Sequence, residues 1–170
     1  DLIKKSISPT DKTASACLEK AYQLYEQENY GDSYSILSKI VSNHPAYWEA
    51  YDLLVDVMLQ TGQASNIPGL LRPLENGREL PSSMVALIGS GYEAAGDLAR
   101  AAEMADQALA LDTACARAWN LKGILAYRKG SLEAAERHFQ KAGEYRAEWG
   151  EPWTNLGTVL WEQGESGMAL

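Results

Sequence analysis

Residues Ala116–Ala147 read ARAWNLKGILAYRKGSLEAAERHFQKAGEYRA. Trp119 is followed one helical turn later by Gly123, and a break falls at Gly130. Ala135, Phe139 and Ala142 then recur at helical spacing. The stretch predicts two antiparallel helices. Small residues such as Gly123, Ala135 and Ala142 let the two axes come close, and Trp119 and Phe139 fill the spaces between those contacts. Gly130 suits the left-handed residue that ends a first helix. Ser131 is of a type that caps the next one.

Working outward, the same code repeats every 34 residues, with starts at Ala14, Trp48, Ser82, Ala116 and Gly150. Counting from those starts, position 4 is Cys17, Tyr51, Val85, Trp119 and Trp153. Position 8 is Ala21, Val55, Gly89, Gly123 and Gly157, and position 15 is Glu28, Gly62, Gly96, Gly130 and Gly164. Position 20 is Ser33, Ile67, Ala101, Ala135 and Ala169. Asn29, Gln63, Asp97, Ser131 and Glu165 follow the position-15 residue, and Asn, Asp and Ser there predict caps for a second helix. The expected helices are 12–28, 31–44, 47–61, 66–77, 82–95, 98–111, 115–129, 132–146 and 150–163, with another starting at 165.

This register resembles the tetratricopeptide repeat (TPR) family. The resemblance implies an all-α fold, a right-handed α-α superhelix of about five helix-turn-helix repeats with the last truncated. It implies one array over 1–170, with a lead-in at 1–13 and repeats at 14–47, 48–81, 82–115, 116–149 and 150–170. Ser8-Pro9-Thr10-Asp11 reads as a turn into the first helix, and Lys4 and Lys5 as solvated. The second repeat departs most, with Pro68, Gly69 and Pro73 where its second helix should run. Pro73 has no N–H and crowds the carbonyl of Gly69, so a short, kinked or partly 3₁₀ helix is expected. In the fifth repeat, Trp153, Leu156 and Leu160 are expected to lack their usual cover.

The 170 residues carry 15 Lys and Arg against 23 Asp and Glu, a formal net charge of −8. That sign argues against nucleic acid and against anionic membrane surfaces as partners. Cys17 and Cys115 are far apart in sequence, so both read as small apolar residues rather than a disulfide. A cytoplasmic setting is the expectation, with a periplasmic one compatible. The chain begins at Asp1 and stops inside its fifth copy, which reads as part of something longer.

Chemistry is sparse. His44 and His138 fall in different repeats. His44 suits a helix C-terminus, and His138 reads as a surface or satisfied histidine. No His or Cys pair has zinc spacing. Gly89-Ser90-Gly91 lacks the strand context of a nucleophile elbow. Glu133 and Glu136 read as a solvated face. No catalytic residue, cofactor or metal site is expected.

The resemblance also implies that the first helices line a concave groove, with positions 2, 5, 9, 12 and 13 facing it. The expected peptide-binding residues are Tyr22, Glu26, Asp52, Asp56, Arg117, Asn120, Tyr127, Arg128 and Trp161. Leu18, Ala86 and Glu93 fall at groove positions too. Five acids (Glu19, Glu26, Glu49, Asp52 and Asp56) mark the first two repeats, whereas Arg117 and Arg128 flank Tyr127 in the fourth. An acidic partner segment is therefore expected at the fourth repeat. Family members that clamp a C-terminal carboxylate use Lys and Asn where this chain has Leu18 and Tyr22. The expected function is a non-catalytic protein-interaction scaffold holding an extended peptide or a partner helix. The alternatives are an accessory domain of a larger bacterial enzyme such as a glycosyltransferase, and a self-assembly module that forms a homo-oligomer through the C-terminal end.

Overall fold

The computed structural model describes residues 9–75 and 80–164, and among them every regular element is helical. The helices are α1 (Pro9–Glu26), α2 (Tyr30–Asn43), α3 (Trp48–Gln60), α4 (Ile67–Glu75), α5 (Ser82–Ala94), α6 (Leu98–Leu111), α7 (Ala116–Arg128), α8 (Leu132–Tyr145) and α9 (Gly150–Glu162). A 3₁₀ turn, Ala64–Asn66, leads into α4. The boundaries follow the 34-residue register to within a few residues. The largest departure is at the start, where Pro9, Thr10 and Asp11 belong to α1 rather than to a turn. A proline's fixed φ is compatible with a first helical turn. The expected segments around Lys4, Lys5 and Glu165 lie outside the described residues.

Contacts divide the chain into two compact units, 1–64 and 65–170. In the first, α1, α2 and α3 pack on one another. In the second, α4 packs on α5, and then each of α5 to α8 packs on its successor. There α5 also touches α7, and α7 touches α9. Within each unit the odd-numbered helices thus form one layer and the even-numbered helices the other.

Local chemistry accounts for the turns. Glu28, Gly62, Gly96, Gly130 and Gly164 all have positive φ, from 59° to 86°. At Gly96 the N–H of Gly96 donates to Glu93 O and that of Asp97 to Tyr92 O. The same pair of bonds recurs at Glu28, Gly62 and Gly130, and satisfies carbonyls the helix leaves open. Asn29 and Asp97 then cap α2 and α6, accepting from Asp32 N and Arg100 N. Ser131 makes no side-chain cap bond, contrary to expectation.

The packing code holds at the interior. Ser33, Ile67, Ala101 and Ala135 at position 20 are each 0% exposed. The Ser33 hydroxyl donates to Ala21 O at 2.9 Å, so a polar side chain at this buried position is satisfied by position 8 of the paired helix. A Cβ on Gly123 would run into the Phe139 ring, and one on Gly89 would lie 2.6 Å from Leu121 Cδ2. Glycine at those points sets how closely the helices approach. The prolines shape α4 as expected: it has nine residues, against fourteen for α6 and α8, and enters through the 3₁₀ turn. Leu156 and Leu160 are not left uncovered, because they are buried in a cluster with Ala135, Phe139 and Val159. Trp153 is 43% exposed, yet its ring lies over Gly143 and its indole N–H donates to Ala147 O.

Candidate binding site

The odd-numbered layer is stitched by polar side chains at fixed offsets. Asn155 donates to Asn120 Oδ1 at 3.2 Å, and Tyr127 donates to Glu162 Oε1, both across 35 residues. Arg128 Nη2 lies 2.5 Å from Glu93 Oε1 with the same separation. Asn120 also donates to Glu151 Oε1 at 2.9 Å, across 31 residues. In the first unit, Tyr25 has Asp56 and Gln60 as polar neighbours on α3, at the same two offsets. One repeat plus one residue, or one repeat less three, therefore brings a residue of one layer helix to the next. The two offsets differ by one helical turn.

Between α5, α7 and α9 lies a cleft of about 370 Å³. Its lining includes Glu93, Ile124, Tyr127, Arg128, Glu151 and Thr158. The lining combines apolar Ile124 and Phe139 with charged Glu93, Arg128 and Glu151 and with polar Tyr127, Asn155 and Thr158. Glu93 is only 9% exposed. Burial pushes its carboxyl above the ordinary glutamate range; Arg128 opposes that shift and Glu151 adds to it. The Arg128–Glu93 contact is an ion pair between a half-exposed guanidinium and a buried carboxylate. The bond to Glu162 pushes the Tyr127 phenol upward.

The expected site residues therefore separate. Tyr127 and Arg128 line the cleft, and Trp161 on α9 is 61% exposed. Asn120 is 3% exposed, so it bridges α7 to α9 and presents almost no surface to a partner. Arg117 lies over the Trp149 ring at 5.7 Å, not beside Arg128. Arg128 has Glu93 against it, so the fourth repeat is not an uncompensated basic patch. Leu18 and Ala86 are buried, Ala86 in a cluster with Ala108, Cys115 and Ala118. In the first unit, Tyr22, Glu26 and Asp56 are exposed, and Asp52 is half-buried. Burial, then the charge of Asp56, raises the Tyr25 phenol.

Sequence reasoning missed the roles of Glu93 and Glu151. The signal was present, since Arg128 and Glu93 are one repeat plus one residue apart. His138, expected as a surface or satisfied histidine, is half-buried. Its ring stacks on Trp119 at 5.4 Å, and its Nδ1 is buried without a hydrogen-bond partner among the described residues. Burial first, then Lys122, Arg137 and Lys141, lowers its basicity. Cys17 and Cys115 are both free thiols. Among the described residues no three metal-ligating side chains converge, and no helix is long and apolar enough to cross a membrane.

Helix pairs in constant register, with a polar cleft on one layer, define an all-α helical repeat of the kind that serves generally as a protein-interaction scaffold. Residues 87–148 match the tetratricopeptide repeat family model, and the chain has the tetratricopeptide-repeat fold. A search of curated protein sequences gave no match. Solved structures do match. A thermophilic TPR protein of Thermus thermophilus is 17% identical, with TM-score 0.69 over 92% of this chain and 86% of its own. The Cut9-Hcn1 hetero-tetramer of the APC/C gives 18% identity and TM-score 0.71 over 92% of this chain. The match spans only 31% of that chain. YrrB, a TPR protein described with an unusual peptide-binding site, gives 14% identity and TM-score 0.51 over 97% of this chain and 89% of its own. At these identities the likeness is one of fold.

Proposed function

We propose that this chain is a non-catalytic interaction module that binds an extended segment of a partner protein in the α5–α7–α9 cleft. The single observation that carries this reading is the cleft itself. It combines apolar Ile124 and Phe139 with polar and charged side chains, and α9, which contributes Glu151, Asn155 and Thr158, also carries exposed Trp161. Such a mixture suits a peptide, whose side chains need apolar contact and whose backbone needs polar partners. The peptide-binding description of YrrB supports the same reading by analogy. Tyr22, Glu26, Asp52 and Asp56 are proposed as a separate contact surface on the first unit.

The test is a random peptide library displayed on phage and selected on the chain. Selected peptides are then measured against Thr158→Trp, which fills the cleft from an exposed position on α9. Peptides that lose binding to this variant, with helicity unchanged by circular dichroism, support the reading. Peptides that bind the variant as well as the parent chain overturn it.

A further inference from the structure

We infer that the cleft takes a lysine or arginine side chain of the bound segment, held between the carboxylates of Glu93 and Glu151. This rests on the peptide-cleft reading above and names the chemistry of its ligand.

Three observations carry it. First, the charges do not balance. Glu93 and Glu151 line the cleft and Glu162 is bonded to Tyr127 beside it, while Arg128 is the single cation among the described residues of the lining. An acidic ligand would meet two carboxylates, and a basic one would restore balance. Second, Glu93 is nine-tenths buried beside the cleft, so its carboxylate depends on cations brought to it rather than on water. Its cationic partner is Arg128, 2.5 Å away, and a carboxylate has lone pairs for more than one donor. Third, a guanidinium already fits. Arg128 reaches Glu93 with its own side chain 46% exposed, against 12% for that of Glu93. The arginine is thus the partner with room to swing out when a ligand cation arrives. Ile124, Tyr127 and Phe139 supply apolar wall for the methylene stem of such a side chain. Glu151 is held by Asn120, so its carboxylate is oriented beforehand.

The experiment uses the library-selected peptides, resynthesised with each Lys or Arg replaced in turn by norleucine and by Glu. Affinities are measured by fluorescence anisotropy on the full chain. Norleucine at one position is expected to weaken binding by about tenfold, and Glu at that position by more. Glu93→Gln and Glu151→Gln, both isosteric, are each expected to remove most of that difference. Arg128→Gln is expected to tighten the basic peptides, because it removes the resident competitor. A merely structural role for Arg128 would not do that. Peptides enriched in Asp or Glu, or a basic residue replaceable by norleucine without loss, would overturn the inference while the cleft reading stands. A library that yields no cleft-dependent binder removes the cleft reading itself.

Discussion

Arg128 on α7 lies 2.5 Å from Glu93 on α5, and the glutamate is the buried partner of the two. The position that resembled an arginine anchor is therefore half of an internal pair. Its energetics follow from the asymmetry. Glu93 has lost most of its hydration, and one half-exposed guanidinium returns only part of it. Its carboxyl is raised above the ordinary value, burial being the largest cause. A raised carboxyl binds its proton more tightly in the folded state than in the unfolded chain. The associated stability is therefore largest below the unfolded pKa and is lost as pH rises through the folded one.

That sign gives a first prediction. Glu93→Gln removes the buried charge and should stabilise the chain near neutral pH, by up to about 1 kcal/mol. The gain should shrink as pH falls through the raised carboxyl value toward the ordinary glutamate range, and be gone below it. Urea denaturation of both proteins at neutral and acid pH checks it. A loss of stability that is equal at both pH values would count against the burial account of Glu93.

Asn120 tests the stitching of the odd-numbered layer. Asn120→Ala deprives Glu151 and Asn155 of their partner, and should cost about 1–3 kcal/mol. Asn120→Ala combined with Asn155→Ala should cost less than the sum of the two single changes. Strict additivity in that double-mutant cycle would show that the two amides do not interact.

Gly123 tests the packing code. A methyl group there would collide with the Phe139 ring, and a buried aromatic ring has little room to retreat. Gly123→Ala should destabilise by about 1–3 kcal/mol. Phe139→Leu in the same chain should recover part of that loss relative to Phe139→Leu alone. Thermal melts of the four proteins read both effects.

Glu28 is the non-glycine residue at position 15, and it carries the same positive φ as the four glycines. Left-handed backbone costs a residue with a Cβ about 1–2 kcal/mol, and glycine returns roughly 0.5–1 kcal/mol of that in unfolded-chain entropy. Glu28→Gly should therefore be neutral to about 1 kcal/mol stabilising. Gly130→Ala at the equivalent turn should be destabilising by about 1 kcal/mol. Chemical denaturation should give Glu28→Gly a midpoint at or above that of the parent chain, and Gly130→Ala one below it.

The helices were legible because small residues and turn glycines recur at one period, and each reports on local geometry. Gly96 and Gly130 end helices through backbone freedom alone, which needs no knowledge of neighbours. The site was less legible because its residues are defined by partners a repeat away. Arg128, read on its own helix, is an exposed base; only with Glu93 beside it is it a counter-ion. Asn120, read on its own helix, faces the groove; with Glu151 and Asn155 beside it, it is 3% exposed. Pairing residues 31 and 35 apart would have recovered these contacts from the register. His138 obeys no such rule, since its environment depends on how the Trp119 indole lies against it.

The central claim is that the α5–α7–α9 cleft is where a partner segment binds. Methyl NMR of the chain, titrated with a library-selected peptide, tests it most directly. The account predicts that the largest shift changes fall on Ile124 and Thr158, which line the cleft, with little change at Ile40 and Val41 of α2. Changes concentrated on α2 or α8, with Ile124 and Thr158 unmoved at saturation, would contradict it.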